Sequence, residues 1–128
     1  LMGIYAKVAL AARERIINGM NPELAWNEVI REFTTSIHSI NKGCPKSAFL
    51  GLCEDGYIKG VNSGHYTNST KNKRYAIKAV ELLRRNPYIL YSNYTLWINV
   101  LKELDLETKS YSQQMDVVLA LWKSGCIR

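Results

Sequence analysis

The stretch Ile4-Tyr5-Ala6-Lys7-Val8-Ala9-Leu10-Ala11-Ala12-Arg13-Glu14-Arg15-Ile16 sets the period for the whole chain. Ile4, Val8, Ala12 and Ile16 recur at every fourth position, and Tyr5 and Ala9 widen the stripe. Residues four apart share one face of an α-helix, so this is a helix with one buried side. Asn18-Gly19 supplies the stop, because glycine takes the left-handed conformation that closes a helix. Asn21-Pro22 restarts the chain, asparagine as a cap and proline at the first helical position.

The same period continues outward from there. Trp26, Val29, Ile30, Phe33 and Ile37 line one face of a second helix, which Asn41-Lys42-Gly43 should break. A third is expected from Pro45, with Cys44 as its cap, Ala48, Phe49, Leu52 and Cys53 buried, and Gly56 at its end. Residues 60–69 hold glycines, asparagines and serines and read as a loop. A fourth helix over 70–85 buries Ala76, Ala79, Val80 and Leu83 until Asn86-Pro87 ends it. A fifth, around 94–104, buries Trp97, Val100, Leu101 and Leu104. Ser110 with Gln113 has capping-box spacing for a sixth, whose buried face is Met115, Val118, Leu119 and Trp122. No segment alternates apolar and polar residues long enough to require a sheet. The expected fold is all-α, a compact single-domain bundle of about six helices over residues 1–128, with room for a helix-turn-helix-like unit.

Two helix ends share a pattern. Leu50-Gly51-Leu52-Cys53-Glu54-Asp55-Gly56-Tyr57-Ile58-Lys59 and Leu119-Ala120-Leu121-Trp122-Lys123-Ser124-Gly125-Cys126-Ile127-Arg128 both fit L-x-L-x-x-x-G-x-I-[K/R]. A glycine C-cap followed by an isoleucine folding back on the last turn explains both. The simpler reading is one solution to the same capping problem, with a duplicated motif as the alternative. Winged-helix proteins end recognition units similarly, which adds slight support for DNA binding.

Composition excludes several classes. The chain has 128 residues, 47% of them hydrophobic, so it can build a core and is not intrinsically disordered. No apolar run approaches the roughly 18 residues of a membrane span, so no membrane partner is expected. The first ten residues carry one lysine and no long apolar run, so no export signal is expected. Three cysteines, an odd number, fit reduced thiols in the cytoplasm better than a disulfide scaffold. Seventeen Lys and Arg against eleven Asp and Glu give a net charge of +6, which makes acidic partners plausible.

Chemistry concentrates in residues 60–75. Glycines, hydroxyls and three cations meet there at a helix start, a combination suited to an anion, although no Walker spacing and no preceding strand occur. Lys71, Lys73, Arg74, Lys78, Arg84 and Arg85 make the densest basic patch, and Tyr66 and Tyr75 lie where they could stack on bases. Glu81 with Arg85 also reads simply as a helix-stabilising pair. Cys44, Ser47 and His65 form a secondary candidate, with Lys46 and a helix dipole favouring the Cys44 thiolate. His38, Cys44, Cys53 and His65 lack any zinc-ligand spacing, so no metal is expected. Glu54 and Asp55, adjacent at a helix end, should point to different faces, and no acid–base pair can be assembled. Exposed tyrosines among Tyr88, Tyr91 and Tyr94 would suit a homodimer surface.

Three motifs carry a resemblance: Cys44-Pro45-Lys46-Ser47-Ala48-Phe49-Leu50-Gly51-Leu52-Cys53-Glu54-Asp55-Gly56, then Asn72-Lys73 with Tyr75-Ala76, then Gln114-Met115-Asp116-Val117-Val118-Leu119-Ala120-Leu121-Trp122. With them the chain resembles, over about residues 3–127, a family of small uncharacterised bacterial proteins. The resemblance implies a stand-alone bacterial cytoplasmic domain and brings no activity, cofactor or catalytic residue. The functional expectation is a non-enzymatic binding module whose basic surface meets nucleic acid or another polyanion. A protein–protein interaction domain is the alternative, then a small-anion site near Cys44 and the 60–70 loop. No cofactor is expected.

Overall fold

The computed structural model describes residues 2–128. Seven helices follow one another: α1 Ile4–Ile17, α2 Pro22–Phe33, α3 Ile37–Ile40, α4 Gly43–Glu54, α5 Thr70–Arg85, α6 Asn93–Glu103 and α7 Gln114–Lys123. Six are long, α3 is a single turn, and the described residues contain no sheet. All long helices contribute to one core, with Trp26, Phe49, Tyr75, Trp97 and Met115 among its fully enclosed side chains.

Local chemistry sets most boundaries. Asn21 Oδ1 accepts the Glu23 and Leu24 N–H groups and starts α2. Ser69 Oγ accepts from Asn72 to start α5, while Ser92 and Thr95 form a reciprocal capping box on α6.

Three expectations need correction. The second helix does not run through Ile37: Thr34 turns extended, Thr34 Oγ1 accepts from Ser36, and Ser36 caps α3. Ile37 is therefore 69% exposed rather than buried. Cys44 does not cap α4, because the helix begins one residue before it, with Lys42 in the cap position. Ser110 and Gln113 form no capping box: Gln113 is left-handed, and the Tyr111 hydroxyl accepts the Asp116 N–H instead.

The two matching helix ends meet each other. Ile58 and Ile127 form an antiparallel bridge, in which Lys59 N–H donates to the Cys126 carbonyl at 2.8 Å and Arg128 N–H to the Tyr57 carbonyl at 2.9 Å. Each tail offers the same two motif positions to the other. Gly56 and Gly125 make this turn with φ of 76° and 71°, a region L side chains avoid.

The correspondence extends through all the long helices. Tyr5-Ala6-x-x-Ala9-Leu10 in α1 matches Tyr75-Ala76-x-x-Ala79-Val80 in α5. Trp26-x-x-Val29-Ile30-Arg31-Glu32 in α2 matches Trp97-x-x-Val100-Leu101-Lys102-Glu103 in α6. Contacts follow suit: Tyr5 packs on Trp26 as Tyr75 packs on Trp97, and Arg15 pairs with Glu32 as Arg85 pairs with Glu103. α1 packs against α7, as α5 packs against α4. The molecule is an internal repeat of three long helices whose halves exchange contacts. The shared helix ends are part of that repeat, beyond a common capping solution.

Candidate anion-binding surfaces

Glu54, the last residue of α4, organises one side of the molecule. Its Oε1 accepts the Tyr66 N–H at 2.7 Å and the Thr67 N–H at 3.2 Å, and lies 3.4 Å from His65 Nδ1. Its Oε2 accepts from Lys73 Nζ at 2.6 Å, and Lys73 also reaches Asp55 at 2.7 Å. The adjacent carboxylates thus converge on one lysine instead of dividing between faces. The Lys73 ammonium, helped by the two backbone donors and opposed by burial, holds the Glu54 carboxyl down to about 2. Asp55, then Glu54, raise Lys73 in turn.

Beside this hub a cleft of about 590 Å³ opens between α2, the start of α4 and residues 65–68. Arg31, Lys46, Ser47, His65 and Tyr66 line it, with Glu23 as its one carboxylate and Ile40 and Leu50 as its apolar contribution. Arg31 donates to the Asn27 carbonyl one turn back at 2.7 Å, which fixes its guanidinium. The Tyr66 hydroxyl donates to the Asn62 carbonyl at 2.8 Å. Two members of the secondary candidate, Ser47 and His65, therefore share a cavity. Cys44 is half-buried in the first turn of α4 outside that lining, and no histidine is hydrogen-bonded to it among the described residues.

The basic patch on α5 divides. Lys73 is held by Glu54 and Asp55, Lys78 by Glu81 at 2.6 Å, and Arg85 by Glu103. Arg84 donates to the Arg128 carbonyl and lies 5.2 Å over the Tyr57 ring, so it secures the C-terminal tail. Tyr75 is 2% exposed, meets Trp97 edge-on at 5.0 Å and presents no face to solvent.

Lys71 and Arg74 remain, and Lys109 joins them. The three border a hollow of about 280 Å³ together with Leu106 and the Tyr75 edge. Through Thr70 and Arg74 it continues into a second hollow of about 460 Å³ bordered by Ile77, Lys78 and Leu104. Lys109 is positioned by two bonds: its Nζ donates to the Tyr75 hydroxyl at 3.2 Å, and its carbonyl accepts from Trp97 Nε1 at 3.0 Å. No carboxylate pairs with Lys71, Arg74 or Lys109 among the described residues.

Sequence reasoning missed Arg31 and Lys109 as site residues and Glu54 as the hub, and brought in Lys46 only as a neighbour of Cys44. The sequence held no signal for Lys109, because its place depends on residues 104–109 folding back onto Tyr75 and Trp97. Of the tyrosines expected on a dimer surface, Tyr88 is 95% exposed while Tyr91 is half-buried against the core.

No curated protein and no solved structure matches the chain. One family model, described as a family of unknown function (DUF6979), matches residues 2–128, and the chain belongs to that family.

Proposed function

We propose that this protein is a small binding domain that docks nucleic acid along the groove between α5 and residues 104–109. The observation that carries the proposal is the convergence of Lys71, Arg74 and Lys109, three cations from two elements with no carboxylate partner among the described residues. Unpaired cations on one groove release counterions when they meet phosphates, whereas a cation already held by a carboxylate has little to gain. With Tyr75 buried and Tyr66 lining the separate cleft between α2 and α4, neither tyrosine offers the groove a stacking face, so affinity is electrostatic, steep in salt and weak in base preference. The three cysteines, none of them in a disulfide among the described residues, support a reducing, cytoplasmic compartment for this reading.

The test is fluorescence anisotropy with DNA and RNA oligomers at low and near-physiological salt. Lys71→Ala with Arg74→Ala should weaken binding equally across sequences and lower the salt slope by about two. Arg85→Ala should leave affinity nearly unchanged, because Glu103 already neutralises that side chain. Absent binding at low salt, or unaltered affinity in the double variant, removes the proposal.

A further inference from the structure

We infer that the cleft between α2, the start of α4 and residues 65–68 binds a small phosphorylated molecule. Its volume of about 590 Å³ falls within the range of small-ligand sites. Two cations from separate helices reach it, Arg31 and Lys46, and neither is paired with a carboxylate among the described residues. Ser47 and the main chain at Gly43, in the first turn of α4, supply further donors, although Pro45 in that turn has no N–H. That turn carries no acidic residue, and its cap residue Lys42 offers no side-chain acceptor. Ammonium, guanidinium, hydroxyl and main-chain N–H groups around one space suit the several oxygens of a phosphate better than a neutral ligand.

The repeat supplies an independent argument. In α7 the places of Lys46 and Ser47 belong to Met115 and Asp116. Met115 is fully buried, and the Asp116 carboxylate is taken up by Tyr111 and Asn93. The second half therefore fills this place and satisfies its polar groups internally, while the first half keeps it open and cationic. Packing needs shared by both halves do not call for that difference. The far wall is also set in advance, because Glu54 holds the Tyr66 and Thr67 main chain whether or not the cleft is filled.

Titration of isotope-labelled protein with ribose 5-phosphate, inorganic phosphate and ribose, read as backbone amide shifts, tests this. Saturable shifts at Arg31, at residues 43, 44, 46 and 47 and at residues 65–67 are expected with the two phosphates and none with ribose. Lys46→Gln should weaken the phosphates about tenfold at unchanged thermal stability, since a charge-assisted hydrogen bond is lost. The same variant should bind oligonucleotides like the parent, which separates this site from the α5 groove. Absence of saturable shifts with both phosphates overturns the inference. So do shifts scattered over surface lysines, or equal affinity in Lys46→Gln.

Discussion

Glu54 meets four partners with two oxygens, and its ionisation couples the main chain at residues 66 and 67 to α5. Its folded carboxyl sits near 2, below the ordinary value of about 4.3, so the charged form is favoured by folding. The resulting stabilisation is fully present above the ordinary carboxylate range and is lost as pH falls toward 2. Asp116 acts in the opposite sense, because burial raises its carboxyl. Glu54→Gln keeps an acceptor for the Tyr66 N–H but loses the ion pair with Lys73. We expect it to cost about 1–2 kcal/mol at neutral pH and to flatten the loss of thermal stability below pH ~4. Melting curves of parent and variant between neutral and acid pH check this, and parallel profiles would refute it. None of this was visible in Glu54-Asp55 as a dipeptide, since the convergence depends on residues 64–73 folding back over the end of α4.

At the level of helices the chain was largely legible. The stripes of α1 and α5, the Asn21-Pro22 start and the glycine ends at Gly56 and Gly125 are local chemistry, and local chemistry decided them. The reading failed where side chains compete with the helix for main-chain groups. Phe33 to Ile37 continues the apolar spacing, yet Thr34 and Ser36 take main-chain donors and turn the chain. The start of α7 was misplaced for a related reason, because the capping hydroxyl comes from Tyr111, a residue type outside the usual capping set. Gly51 marks a close approach of α4 to α5: a Cβ there would lie 2.7 Å from Lys73 Cβ and 2.8 Å from its Cα. Alanine favours a helix over glycine by up to about 1 kcal/mol, but here it meets backbone. Gly51→Ala should therefore destabilise by about 1–3 kcal/mol in urea unfolding, and a stabilised variant would show that the crossing can relax.

The whole molecule depends on exchange between its halves. A repeat signal was present in Trp26-x-x-Val29-Ile30-Arg31-Glu32 and Trp97-x-x-Val100-Leu101-Lys102-Glu103, but the reciprocal packing was not, because α1 and α7 lie at opposite ends of the chain. Asn72 and Gln114, both buried, tie α5 to α7 inside the second half at 3.1 Å, while the Glu54–Lys73 ion pair ties one half to the other. Each half alone would leave a helix face open: Val8 and Ala12 without α7, or Ala48 and Leu52 without α5. A piece of roughly 60 residues buries a smaller share of its surface than the whole chain, so an uncovered helix face weighs heavily on it. The link between them, residues 62–64, is exposed and carries few of these contacts. Two polypeptides divided at Ser63 should therefore be weakly helical apart. Mixed in equal amounts, they should gain helicity beyond the sum of the two and elute at the size of the intact chain. Full helicity in either piece as a monomer would show that the halves fold independently and that the reciprocal bridge between Ile58 and Ile127 only joins finished units. Helicity gained on mixing would make that exchange the step that completes the core.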